Sequence, residues 1–180
     1  MVITLIGYRG CGKSSVAPRL AKRIGWSHVD SDRIIEERAG CSIRQIFETE
    51  GEAGFRKRES EVLNELLQQK NQVIASGGGA ILSEANRLAM RAAGPVVWLS
   101  ASVATLAKRL GHDRSSGQNR PSLTGRPIDQ EVAEVLAVRE PLYRSAATLI
   151  VNSDGESPEH VARRIARHLE GTIRQEAPAS

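Results

Sequence analysis

The chain has 180 residues, 40% of them hydrophobic and 26% charged, which is close to one ordinary domain with apolar side chains enough for a substantial core; general disorder is excluded. Twenty-five Lys and Arg against 21 Asp and Glu leave a net charge of +4, a mild excess that favours small anionic ligands without demanding a polymer. With only two Trp, two Tyr and two Phe and no basic-aromatic alternation, a nucleic-acid partner is not expected. Cys11 and Cys41 cannot build a disulfide framework, and four scattered histidines give no metal-ligand spacing, so a reducing cytoplasm fits best. The opening apolar run stops at Gly7, too short for a signal peptide, and no stretch approaches the roughly 18 apolar residues of a membrane span, so no membrane partner is expected.

Val2 to Ile6 is a short β-branched run that predicts a buried strand, ended by Gly7. A helix is predicted from near Lys13 through Ile24, because Val16, Leu20 and Ile24 recur every fourth residue, with Pro18 in its first turns. Ser27 to Val29 predicts a second strand ending in Asp30-Ser31-Asp32, then a short helix to Gly40, and Ser42 is placed as the N-cap of another helix through Phe47. The spacing of Phe55, Val62, Leu63, Leu66 and Leu67 predicts a helix over Glu52 to Gln69, followed by a strand from Gln72 to Ala75 and then Gly77-Gly78-Gly79. Ser83 caps the next helix, Pro95 to Leu99 is a strand, Ser102 to Leu110 a helix and 111–127 a loop. A helix from Asp129 to Tyr143, a strand from Thr148 to Val151 and a helix from Pro158 to Leu169 follow, and the tail 171–180 is expected to fray. This order predicts an α/β fold: a five-stranded parallel sheet with helices on both faces and right-handed crossovers.

Gly7-Tyr-Arg-Gly-Cys-Gly-Lys13-Ser14 matches the phosphate-loop pattern G-x-x-x-x-G-K-[ST], set after a buried strand and before a helix. The glycines let backbone N–H groups point inward at phosphate oxygens, and the helix adds its positive dipole end. Lys13 would reach the β- and γ-phosphates and Ser14 is a candidate Mg²⁺ ligand, so ATP and Mg²⁺ are the expected cofactors. Cys11 reads either as a thiol activated by Lys13 and the loop amides, which bound ATP would protect from reagents, or as a small residue filling a turn.

Asp30 and Asp32 lie two apart in an extended segment, so both carboxylates can face one site, one toward a metal and one toward a hydroxyl; an N-cap role for Asp32 is the competing reading. The three glycines 77–79 stand at the carboxyl edge of the sheet and read equally as close backbone approach or a flexible turn. Arg56, Arg120 and Arg139 are candidate anion ligands that read singly as surface charges. The stretch 108–126 holds Lys108, Arg109, Arg114, Arg120 and Arg126 against Asp113 alone, a concentration suited to a basic loop closing over ATP on Gly111, Gly117 and Gly125.

Taken in order, the loop ending Gly12-Lys13-Ser14, Asp30-Ser31-Asp32 with Ile35-Glu36, Phe55-Arg56 with Glu59, the triple glycine, Arg120-Pro121 and Arg139-Glu140-Pro141-Leu142-Tyr143 resemble shikimate kinase. The resemblance runs from the first strand to Leu169. It implies a fold of the nucleoside-monophosphate-kinase type forming one domain over 1–170, with a substrate-binding helical region around 32–60 and a lid around 111–125. It further implies transfer of the ATP γ-phosphoryl group to the 3-hydroxyl of shikimate, giving shikimate 3-phosphate and ADP, by a monomeric enzyme. Under it, Gly10, Cys11, Gly12, Lys13, Ser14 and Ser15 hold the nucleotide, with Arg109 on the adenine side and Arg120 swinging onto the phosphates. Lys13, Asp32 and Arg120 would be catalytic, Ser14 and Asp30 would hold the metal, and Arg56, Arg139 and the Gly78–Gly79 backbone would grip the shikimate carboxylate beside Asp32. The chain has Arg120-Pro121-Ser122-Leu123 where the family continues Arg-Pro-Leu-Leu, and the segment from Asn152 to Glu156 lacks the arginine sometimes found there. Two other readings stay open: a kinase for a different small acid such as gluconate on the same fold, and a nucleotide-binding regulatory domain without turnover.

Overall fold

The computed structural model describes residues 1–115 and 127–175. Five parallel strands, β1 (Val2–Ile6), β2 (Ser27–Asp30), β3 (Gln72–Ala75), β4 (Val96–Ser100) and β5 (Leu149–Asn152), form one sheet in the order β2-β3-β1-β4-β5. The helices are α1 (Lys13–Ile24), α2 (Ser31–Ala39), α3 (Ile43–Leu67), α4 (Glu84–Ala93), α5 (Val103–Ser115), α6 (Ile128–Ala146) and α7 (Pro158–Gln175), with a 3-10 turn at Ala80–Leu82. Every residue of the central strand β1 is buried, as a strand covered on both faces requires.

Alternation along β1 divides the core. Ile3 and Leu5 face Val16 and Leu20 of α1 and Val161 and Ile165 of α7, whereas Val2 and Ile6 face the opposite layer with Ile35, Phe55, Leu63, Met90 and Tyr143. The edge strand β2 (Ser-His-Val-Asp) is the polar one, which suits an edge open to water.

Several boundaries differ from the sequence expectation for identifiable reasons. The two helices expected around Ser42 and after Glu52 are both present, their spans joined as α3 across a kink at Gly51, whose backbone (φ 69°, ψ −175°) is not helical. The bend lets Phe47 and Phe55 meet with centroids 4.7 Å apart. Helix α5 continues to Ser115, so a loop does not begin at residue 111; nothing in Gly111-His-Asp-Arg-Ser forbids a helix beyond the modest propensity cost of one glycine. Helix α7 runs to Gln175 instead of fraying from 171, because Leu169 and Ile173 continue its fourfold spacing onto the core shared with α1.

Candidate active site

The carboxyl ends of the strands open into a cavity of about 910 Å³, lined by the loop between β1 and α1 together with Asp30, Asp32, Gly78, Arg109, Ser153 and Glu156. The loop takes its shape from Gly7, Gly10 and Gly12, all at positive φ. At Gly7 a Cβ would lie 2.6 Å from the Leu99 carbonyl oxygen and 2.7 Å from Cys11 Sγ. Lys13 curls over this loop, its Nζ donating to the carbonyls of Gly7 at 2.7 Å and Tyr8 at 3.1 Å and lying 3.6 Å from Cys11 Sγ. Cys11 is only 1% exposed, so its thiol is packed under the loop rather than presented to reagents.

Asp30 and Asp32 both reach the cavity, but not through strand alternation. The chain turns from strand to helix at Asp30, whose Oδ1 accepts the Asp32 backbone N–H at 3.0 Å and so caps α2. The cap is therefore Asp30, not Asp32. Asp30 Oδ2 accepts the Ser14 hydroxyl at 2.6 Å. One hydroxyl and one carboxylate side by side are the hard oxygen donors Mg²⁺ takes when phosphates and water complete its shell, so the residues present fit that ion.

The three glycines after β3 are a close-approach site. The Gly77 N–H donates to Ser31 Oγ at 2.9 Å, and a Cβ at Gly77 would lie 2.5 Å from Glu59 Oε1 and 2.8 Å from Asp32 Oδ1. At Gly79 it would lie 2.3 Å from Arg56 Nη1. Arg56 Nη1 in turn donates to Glu59 Oε2 at 2.7 Å, and from the other side Arg139 Nη1 donates to the Gly78 carbonyl at 3.3 Å. Thus α3 and α6 deliver two arginines to neighbouring glycines, next to Asp32 and directly against the phosphate loop. Burial pushes the Glu59 carboxyl above the ordinary glutamate range; Arg56 opposes the shift and the like charge of Asp32 adds to it.

A family model described as shikimate kinase matches residues 9–170. The chain belongs to the shikimate kinase family. It is 42% identical to the shikimate kinase of Nitrosospira multiformis over 93% of this chain and 84% of that protein. It is also 44% identical to shikimate kinase 2 of Sodalis glossinidius over 92% and 93% of the two chains. Among solved structures, Acinetobacter baumannii shikimate kinase in complex with shikimate superposes with a TM-score of 0.88 at 37% identity, covering 95% of this chain and 93% of that one. A gluconokinase from Sinorhizobium meliloti shares the fold alone, with a TM-score of 0.57 at 17% identity over 97% of each chain.

The groups expected at the site are unevenly placed around it. Gly10, Cys11, Gly12, Lys13, Ser14, Ser15, Asp30, Asp32, Gly78 and Arg109 line this cavity, while Arg56, Gly79 and Arg139 adjoin it through the glycine turn. Arg120, with the rest of 116–126, lies outside the described residues. Arg109 joins the phosphate loop to the segment after β5: it donates to the Gly10 carbonyl at 3.1 Å and to the Ser153 carbonyl at 3.0 Å, and Ser153 Oγ donates to the Cys11 carbonyl at 3.1 Å. Arg164 of α7 braces the segment from Asn152 to Glu156, its Nη1 donating to Glu156 Oε1 at 2.5 Å and to the Asn152 carbonyl at 3.2 Å.

Three residues had no role in the sequence reading. Glu59 is the buried partner of Arg56, Tyr143 donates to the Gly78 carbonyl at 2.8 Å, and Glu131, buried in the first turn of α6, pairs with Arg9 of the phosphate loop. Helical spacing held the signal for the first two: Glu59 is three residues after Arg56, and Tyr143 four after Arg139. No local signal joins Arg9 to Glu131.

Proposed function

We propose that this chain transfers the γ-phosphoryl group of ATP to the 3-hydroxyl of shikimate, releasing ADP and shikimate 3-phosphate. The observation that carries the reading is the meeting of Arg56 and Arg139 at Gly78–Gly79, beside Asp32 and against the phosphate loop. Two guanidinium forks suit the carboxylate of a small acid and have no evident use for a neutral sugar.

In this reading the loop amides of residues 10–15 and the N-terminus of α1 bind the triphosphate. Lys13 exchanges its loop carbonyls for β- and γ-phosphate oxygens, because anionic oxygens outcompete neutral carbonyls for an ammonium. Arg56 and Arg139 hold the carboxylate so that the 3-hydroxyl lies at Asp32. Asp32 accepts the hydroxyl hydrogen, orients the oxygen in line with the γ-phosphorus and takes the proton as the new P–O bond forms and the bond to ADP breaks. In a loose transition state this orienting matters more than proton removal. Ser14 and Asp30 would hold Mg²⁺, which neutralises charge on the phosphates when bound. Arg120 is assigned to the phosphates from the lid, and Arg109 with Ser153 to the adenine side.

We further propose one domain over 1–170, acting as a cytoplasmic monomer without nucleic-acid or membrane partners; both cysteines are free thiols, as a reducing compartment requires. No described helix is long and apolar enough to cross a membrane.

The test is ADP release by the purified chain with ATP, Mg²⁺ and shikimate against a no-acid control and a panel that includes gluconate. Shikimate-dependent turnover is expected. Preference for gluconate would select the rival acceptor, and nucleotide binding without turnover on any acid would select a regulatory domain.

A further inference from the structure

Gly78 and Gly79 share one peptide unit, and none of the described peptide bonds is cis, so the Gly78 C=O and the Gly79 N–H point in opposite directions. Two side chains of α6 hold that carbonyl: the Tyr143 hydroxyl donates at 2.8 Å and Arg139 Nη1 at 3.3 Å. The Gly79 N–H therefore faces away from Tyr143, on a residue whose Cα packs against the Arg56 guanidinium. Among the described residues it has no acceptor. An unmatched donor beside two arginines is what an incoming carboxylate needs.

We propose that the Tyr143 hydroxyl is a positioning group for the acid. By holding the Gly78 carbonyl it turns the Gly79 N–H toward the carboxylate, and it spares Arg139 from serving as that carbonyl's main donor. This rests on shikimate being the acceptor at this site.

The ring and the hydroxyl have separable jobs. Tyr143 is 0% exposed and its ring stacks on Trp98 with centroids 5.6 Å apart, so the ring belongs to the core, and Tyr143→Phe removes only the oxygen. Without it the Gly78 carbonyl keeps the longer bond from Arg139 alone. That guanidinium must then divide itself between the carbonyl and the substrate.

The experiment compares the wild-type chain and Tyr143→Phe in kcat, KM for shikimate, KM for ATP and thermal midpoint, then repeats the kinetics with shikimate carboxamide, in which the carboxylate is a neutral amide. The expected result is a shikimate KM raised about three- to tenfold, equivalent to roughly 0.7–1.4 kcal/mol, with ATP KM unchanged and the thermal midpoint lowered by no more than the loss of one hydrogen bond costs, about 1 kcal/mol. On the carboxamide the two proteins should be alike, since the effect acts through the anion. An unchanged shikimate KM would overturn the proposal, as would an equal rise on acid and amide or a parallel rise in ATP KM, each the mark of a merely structural hydroxyl. A wild-type chain that turned over no shikimate would instead overturn the functional reading and the tether with it.

Discussion

Arg56 and Glu59, one helical turn apart on α3, pair at 2.7 Å with the guanidinium 26% exposed and the carboxylate only 2% exposed. The anion is the buried anchor, and the proposed ligand of the acid is the more exposed cation. This asymmetry makes affinity and stability respond to pH in opposite senses. Glu59 titrates above its ordinary value of 4.5 because it is buried. As pH falls through that raised value, Glu59 becomes neutral, Arg56 loses its ionic partner, and kcat/KM for shikimate should drop. The folded chain binds this proton more tightly than the unfolded chain does. Its contribution to stability is therefore fully present below 4.5 and is lost as pH rises through the folded pKa. Profiles of kcat/KM and of thermal midpoint against pH check both signs. In Glu59→Gln both features should vanish, with shikimate binding weaker than wild type by about 1–3 kcal/mol above the raised pKa and alike below it.

Gly79→Ala should damage binding without damaging the fold. The backbone there (φ −103°, ψ −3°) suits any residue, but the added methyl lands 2.3 Å from Arg56 Nη1, and the tip of an arginine can swing away. Shikimate KM should rise about tenfold or more, by roughly 1.4 kcal/mol per tenfold, with the melting temperature near wild type. Gly7→Ala is the contrast: φ is 144° and the obstacle is the Leu99 carbonyl, which cannot yield. A loss of stability of about 1–3 kcal/mol is expected from the strained backbone, read by denaturant unfolding.

Arg139→Ala should raise KM for shikimate by the equivalent of about 2–5 kcal/mol if the clamp is desolvated when occupied, while nucleotide binding stays nearly constant. Titration with each ligand separately measures the split. Weakened ATP binding with normal shikimate binding would contradict the assignment.

The two aspartates should separate cleanly. Asp32→Asn should lower kcat with little change in either KM, as its proposed role of orienting the reacting hydroxyl requires. Asp30→Asn keeps a capping oxygen for α2 but loses the charge beside Ser14, so turnover should demand more Mg²⁺ at unchanged thermal midpoint. Asp30→Ala should add a stability loss of about 1 kcal/mol from the missing cap. Magnesium titrations and thermal melts of the two variants distinguish these effects.

The phosphate loop was legible because its glycine spacing dictates a backbone shape by itself, and the strand sequence because β-branched runs between turn residues leave few alternatives. The convergence of Asp30 and Asp32 was half legible: strand alternation predicts it, whereas capping at the start of α2 produces it. The break between the two helical segments of α3 was legible, since the apolar period is sound on both sides of Gly51 and interrupted there. The meeting of Arg56 with Arg139 depends on α6 crossing over the turn after β3, a long-range contact to which no local pattern points. Glu59 and Tyr143 stood one turn from the recognised arginines, and only packing tells a buried partner at that spacing from a solvated neighbour.

The strand order β2-β3-β1-β4-β5 has a consequence for how such an enzyme can change. Along the rim of the sheet, the proposed ligands of the acid follow β2 and β3, with Arg139 reaching in from α6, the phosphate loop follows β1, and the proposed base-side residues follow β4 and β5, so under that assignment the two substrates lie end to end in the same lateral sequence as the strands. A new acceptor can thus be accommodated by edits confined to one flank and to α6, while the donor half, on the far side of the central strand, stays as it is.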